Sequence, residues 1–137
     1  MLAACAAMLE RIEPEGMASP DSYSQAMLAR GSRLVFVAGQ VAEDEHGDLV
    51  GGADLAAQSR HAFANVGRAL AAAGARPDQV ARITIYVVGL QMDQLPAIGV
   101  GRDALFGEHR PADTLLGVAS LAHPGCLIEV EAIAVLD

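Results

Sequence analysis

The sequence contains few aromatic residues and few residues that could cross-link it. Its 137 residues include no tryptophan, two tyrosines and three phenylalanines, although 53% of them are hydrophobic. The interior must therefore be built mainly from alanine, valine, leucine and isoleucine. The two cysteines, Cys5 and Cys126, are far apart, and neither belongs to a C-x-x-C pair. This excludes a disulfide framework, and we expect two reduced thiols in a cytoplasmic protein.

Positive charge and long hydrophobic runs are also scarce. Nine lysines and arginines stand against 17 aspartates and glutamates, which gives a formal net charge of −8. This balance disfavours nucleic acid as a partner, because phosphates dominate nucleic-acid affinity. No run approaches the ~20 apolar residues that a membrane-spanning helix needs, so we expect no membrane partner. The four histidines lack the spacing of metal ligands, so we expect no metal site.

The pattern of apolar residues predicts the element order β-β-α-β-α-β-β. Asp54 and Gly74 are suitable caps for the first helix. Turn residues at 30–32 and 122–125 predict that the first two strands form one hairpin and the last two another. Strands are expected at 22–29, 33–41, 79–90, 113–121 and 126–137, and helices at 54–74 and 93–107.

The predicted elements form one domain that lacks a layer. We interpret residues 1–17 as a poorly defined N-terminal extension, with Met8 as a candidate natural start, and residues 18–137 as a single domain. Leu34 and Phe36 alternate with valines on the second strand, so the sheet is apolar on both faces. Two helices can cover only one of these faces. The other face needs another subunit, which predicts an oligomer.

The last strand carries the most informative polar residues. Its even-numbered residues from Ile128 to Leu136 are all aliphatic, whereas Glu129 and Glu131 lie on the opposite face. Carboxylates among aliphatic residues meet water, pair with cations or have a raised pKa that suits proton transfer. The two glutamates are therefore either a solvated edge or a site. Gly99 and Gly101 lack the third glycine of a dinucleotide loop, and we expect them to allow close packing.

Six segments resemble, in order, the signatures of the Rid family (reactive intermediate deaminases, also called YjgF-like or endoribonuclease L-PSP proteins). The resemblance covers residues 20–137. The segments are SYSQA, RLVFVAGQV, DLAAQSRHAFANVGRALAAAGA, RITIYVVGL, HRPADTLLGVASLAHPG and IEVEAIAV.

This resemblance implies an α+β, chorismate-mutase-like fold, in which one mixed sheet is backed by two helices. It also implies a homotrimer with small-molecule ligand clefts between the subunits. Deaminating members of the family hydrolyse 2-imino or enamine acids to 2-oxo acids and ammonia without a cofactor. They use an arginine that binds the substrate carboxylate and a glutamate that positions the attacking water.

The family's site residues are only partly present in this chain. By resemblance, the catalytic glutamate is Glu129 and the cleft tyrosine is Tyr23, near the turn at Gly39. The arginine position is occupied by Asp113, which inverts the charge, and Arg110 is a candidate substitute. Two further cleft positions, usually serine and a polar helix residue, are Ala38 and Gly99. Glu131 is then expected to be the structural partner of a cation such as an arginine.

Three functions follow as alternatives. The first is cofactor-free, hydrolytic, deaminase-like chemistry on a substrate other than the usual 2-imino acids. The second is a trimer that binds a ligand or regulates without turnover. The third is an endoribonuclease, as the other family name suggests, which the acidic composition opposes.

Overall fold

A computed structural model describes residues 8–137. The elements follow the predicted order, with one additional strand at the N-terminal side. The strands are β1 (Met8–Ile12), β2 (Ala26–Arg30), β3 (Arg33–Val41), β4 (Val80–Val88), β5 (Ala112–Val118) and β6 (Ile128–Leu136), and the helices are α1 (Leu55–Ala72) and α2 (Leu95–Phe106). Residues 8–12 of the expected extension are therefore a strand, and Cys5 lies outside the described residues.

The main sheet has four strands in the order β3-β6-β4-β5. The last strand, β6, lies between β3 and β4 and is antiparallel to both. The neighbouring strands β4 and β5 are parallel, and α2 connects them. The fold is thus α+β, with a mixed sheet backed by two helices, as the sequence predicted.

Neither predicted hairpin forms. β2 pairs with β1 in a separate two-stranded sheet, and not with β3. β5 and β6 follow each other in the sequence, but β4 lies between them. The reason in the second case is the helical connection, since a strand that returns over α2 can lie parallel to β4 and fill the sheet edge. Turn residues therefore located the chain reversals correctly, but not the strand partners.

Both helices pack on one face of the main sheet, and the core lies between these layers. Phe63, Val66 and Leu70 of α1 are fully buried in this core, where α1 packs on β3 and β6. The even-numbered residues of β6, from Ile128 to Leu136, are all buried there, as predicted. Asp54 caps α1 by accepting hydrogen bonds from the backbone N–H groups of residues 56 and 57.

The helices approach each other closely at Gly101. A Cβ atom at this position would overlap the backbone oxygen of Ser59, and the Gly101 N–H donates to Ser59 Oγ at 3.2 Å. The predicted packing role is thus present at Gly101. At Gly99 a Cβ atom would make only an ordinary contact, 3.5 Å from Arg102 Nη2.

No helix of the described residues lies over the second face of the main sheet. Phe36 is 71% exposed and Leu34 is 57% exposed, and Leu116 of β5 adds a further exposed aliphatic side chain. Glu129 and Glu131 belong to this open face because they oppose Tyr86 and Thr84 of β4. Within residues 8–137, no helix is both long and apolar enough to cross a membrane.

Candidate functional site

Glu129 faces a cavity of about 320 Å³ at one end of the open face, here called the glutamate cavity. Gly39, Tyr86, Ser120 and Glu131 also line it. A Cβ atom at position 39 would overlap Glu129 Oε1, so glycine leaves the room that the carboxylate occupies. Gly39 lies within an irregularity in the β3–β6 pairing, between Val37 and Gln40, where the backbone comes close to Glu129.

The two glutamates differ in their partners. Tyr86 Oη donates to Glu131 Oε1 at 2.7 Å. The predicted cation partner of Glu131 is therefore wrong, since its partner is a phenol hydroxyl. No hydrogen bond or ion pair joins the Glu129 carboxylate to any residue in the range 8–137. The hydrogen bond to Glu131, together with burial and the two negative charges, raises the pKa of Tyr86.

Tyr23 lines a different cavity, of about 570 Å³, here called the arginine cavity. This cavity lies between the segment at 22–25, β5 and α2, and its polar lining includes Arg82, Arg102, Asp113 and Thr114. Asp113 opposes the core residue Ile83, whereas Glu129 opposes Tyr86. The two acids therefore lie on opposite faces of the sheet and about 10 Å apart along β4. One chain does not bring Tyr23 and Glu129 into one cavity.

Asp113 is paired with an arginine that the sequence reasoning missed. Arg102 Nη1 lies 3.3 Å from Asp113 Oδ2, and the two side chains are 17% and 6% exposed. Burial raises the pKa of Asp113, and the Arg102 guanidinium partly offsets this effect. The charge inversion at position 113 is thus compensated within the chain, and Asp113 does not stand as an isolated negative charge.

Hydrogen bonds from two sides hold the segment that carries Tyr23. The Ser24 N–H donates to the oxygen of Pro111 at 3.1 Å, and Ser24 Oγ donates to the oxygen of Arg110. From β1, Arg11 donates to the backbone oxygens of Pro20 and Tyr23 at 2.6 and 3.3 Å. The strand found within the expected extension therefore supports the wall of the arginine cavity.

The remaining sequence candidates are dispersed. The Arg110 guanidinium donates to the backbone oxygens of Asp21 and Gly107 and lines a third cavity, without Tyr23 or Glu129. Ala38 lines another cavity, of about 340 Å³, on the open face together with Arg82 and Glu131. Gly99 lies on α2 beside Arg102. Within residues 8–137, no group of three His, Cys, Asp or Glu side chains is arranged to hold a metal ion.

The sequence reasoning missed Tyr86 and Arg102, for which the sequence contains only weak indications of a role in the site. Arg82, Thr84 and Tyr86 occupy every second position of β4, so their side chains share one face of the strand. The other residues of this strand are mainly apolar. Arg102 lies three positions after Gly99 and one helical turn after Ile98, on the same side of α2. Their partners, Glu131 and Asp113, are 45 and 11 residues away, so spacing alone does not identify the pairs.

Comparison with known proteins identifies the family. The family model described as endoribonuclease L-PSP matches residues 14–136. The 3-aminoacrylate deaminase RutC of Acinetobacter baylyi is 32% identical over 91% of this chain and 96% of its own. The 2-iminobutanoate/2-iminopropanoate deaminase of Rattus norvegicus is 33% identical over 83% of this chain and 80% of its own.

A solved structure extends this likeness to the fold. The crystal structure of YyfB from Yersinia pestis, a protein of unknown function of the conserved Rid family, is 39% identical. It superposes with a TM-score of 0.86 over 93% of this chain and 98% of its own. The chain therefore belongs to the Rid family, whose family model is described as endoribonuclease L-PSP.

Proposed function

We propose that this chain is a hydrolytic deaminase of small imines or enamines that works without a cofactor, in clefts between the subunits of a homotrimer. The observation that carries the proposal is the unpaired Glu129 carboxylate in the glutamate cavity. Glu129 is half buried and lies next to Gly39. No side chain of residues 8–137 fills the glutamate cavity. Two relatives named as deaminases support the class of reaction.

The chemistry requires one positioned base and water. Water adds to the carbon of the C=N bond while Glu129 accepts one of its protons and passes it to the nitrogen, which gives a carbinolamine. Glu129 then moves the hydroxyl proton of the carbinolamine to its amino group, so that the C–N bond breaks, the C=O bond forms and ammonia leaves. An imine and water thus give a carbonyl compound and ammonia. An enamine first takes up a proton on carbon to become the imine. Glu131 is held by Tyr86 and takes no part in these transfers.

The trimer completes the site in this proposal. Glu129 and Tyr23 line separate cavities of one chain, so a cleft that contains both must combine two subunits. Phe36, on the edge strand β3, is 71% exposed on the open face, which a second copy would cover. We expect a trimeric mass by light scattering at micromolar concentration, and a smaller mass for Phe36→Glu. A monodisperse wild-type monomer would contradict the assembly.

The substrate is expected to differ from the usual 2-imino acids. In the resemblance to the Rid family, an arginine binds the substrate carboxylate at the position that Asp113 occupies here. Asp113 neutralises the nearby Arg102, so the cavity offers a carboxylate less attraction than a free guanidinium would.

A coupled assay tests the catalytic proposal. A flavin-dependent amine oxidase generates an imine without a carboxylate, semicarbazide traps what remains of it, and the protein competes by hydrolysis. We expect Glu129→Gln to lower the rate by at least about 100-fold, since it removes a general base. The matched variant Glu131→Gln, two residues along the same strand, should cost less than about tenfold.

Two results of this assay would contradict the proposal. Equal losses in the two variants would assign no special role to Glu129. No turnover of any imine, with a small molecule still bound, would favour the trimer that binds a ligand without catalysis. Cleavage of RNA that weakens steeply with added salt would instead favour the endoribonuclease.

A further inference from the structure

The Arg102–Asp113 pair leaves two of its polar atoms without partners. Arg102 Nε and Asp113 Oδ1 are both buried, and neither has a hydrogen-bond partner among the described residues. The nearest carboxylate to Arg102 Nε other than Asp113 is Asp103, at 4.0 Å, which is beyond hydrogen-bond distance. Buried polar atoms of native proteins nearly always have partners, so the pair has one donor and one acceptor still to satisfy.

Both residues line the arginine cavity, and the Asp113 side chain is only 6% exposed. The cavity has room for a small molecule, at about 570 Å³. A ligand carboxylate could accept from Arg102 but would meet the Asp113 carboxylate at the same place. A ligand ammonium could donate to Asp113 but would meet the guanidinium. A neutral group with an adjacent acceptor and donor satisfies both atoms.

We propose that the arginine cavity binds a primary carboxamide, whose oxygen accepts from Arg102 Nε and whose NH₂ group donates to Asp113 Oδ1. This inference rests on the proposed function and names its substrate class: an imine or enamine that carries an amide where the family's usual substrates carry a carboxylate. Both atoms are buried in the free chain, so the proposal requires the Arg102 and Asp113 side chains to turn toward the cavity when the amide binds. Arg82 lies exposed at the margin of the cavity, where water screens its charge.

Calorimetric binding of two matched probes tests this inference without any turnover. The probes are 2-oxobutanamide and 2-oxobutanoate, which differ only in NH₂ against O⁻. We expect the wild-type protein to bind the amide at least about tenfold more tightly, which corresponds to one net hydrogen bond. Asp113→Asn keeps the shape but removes the negative charge, and it should reverse the preference toward the acid.

One control variant isolates the contribution of Asp113 to this preference. Asp103→Asn changes an exposed carboxylate beside the same guanidinium and should leave the preference unchanged. The binding of both probes is measured without turnover, so a failure of the catalytic proposal does not affect this test.

Three outcomes would overturn the inference. They are tighter binding of the acid by the wild type, a preference that Asp113→Asn does not alter, and no binding of the amide at millimolar concentration. Acid binding that Arg82→Gln abolishes would assign recognition to Arg82 instead.

Discussion

The two faces of the main sheet are made from similar residues but have different surroundings. On the covered face, Phe63 and Val130 have no exposed surface, whereas Phe36 on the open face is 71% exposed. The covered face is aliphatic throughout the core, while the open face mixes apolar side chains with Glu129 and Glu131. Stability is therefore concentrated on one face, and the unpaired Glu129 carboxylate lies on the other.

The difference also shows how one sheet can support a hydrophobic core on one face and a candidate site on the other. The strands are apolar on both sides, which is typical of a sheet covered on both sides. The helices cover only one side of the sheet. The open face can thus hold carboxylates at a cavity without disturbing the core, because alternate residues of the same strand point to opposite faces.

The largest expected effect comes from truncating a phenylalanine on each face. Phe63→Ala removes a fully buried ring and should lower the free energy of unfolding by about 3–5 kcal/mol. Its effect should be the same at every protein concentration. Phe36→Ala should act mainly through assembly, so its effect on the unfolding midpoint should change with protein concentration.

Chemical denaturation at several protein concentrations measures both effects. The contrast between the faces would break down if Phe36→Ala cost as much as Phe63→Ala at all concentrations.

A smaller effect is expected from two glycines within the helical layer. Gly101→Ala places a methyl group against the backbone of Ser59 and should cost about 1–3 kcal/mol through overpacking. Gly99→Ala has room, so it should be neutral or stabilise α2 by up to ~1 kcal/mol. Thermal unfolding of the two variants gives the comparison. A larger loss of stability in Gly99→Ala than in Gly101→Ala would show that close packing at Gly101 does not determine how tightly the two helices pack.

The smallest effect concerns pH at the rim of the open face. The pKa of His123 is raised, chiefly because its ring bonds to the backbone oxygen of Gly47, and further by the oxygen of Pro124. Since the folded pKa lies above the unfolded value of about 6.5, this stabilisation is complete below pH 6.5. It is lost as the pH rises through the folded pKa.

Replacing His123 should therefore matter more in acid than in alkali. The loss of unfolding temperature in His123→Gln should be greater at pH 5.5 than at pH 9. His46→Gln is the matched control, because its ring is 74% exposed and near only Glu45. Equal losses at both pH values would show that the charge on His123 contributes nothing.

Much of the fold could be predicted from the sequence because the signals were local. Asp54, the apolar stripe of α1 and the alternation in β6 each specify an element within a few residues. The strand partners could not be predicted in this way. The pairing of β5 with β4 rather than β6 depends on the connection over α2, and the turn residues at 122–125 are compatible with either. The β1 strand was missed because its partner β2 read as part of a hairpin with β3.

The sequence by itself determined the elements from β2 onward. It also determined the aliphatic core face of β6 and the placement of Glu129 and Glu131 on the opposite face, because side-chain direction in a strand follows from residue parity. Only the tertiary structure decided which of the two glutamates lacks a hydrogen-bond partner within residues 8–137 and which residue pairs with Asp113. The Tyr86 hydroxyl donates a hydrogen bond to Glu131, and Arg102 forms an ion pair with Asp113. These partners come from other strands and helices, and the packing of those elements, not the spacing along the chain, brings opposite charges and hydrogen-bonding groups within reach of one another.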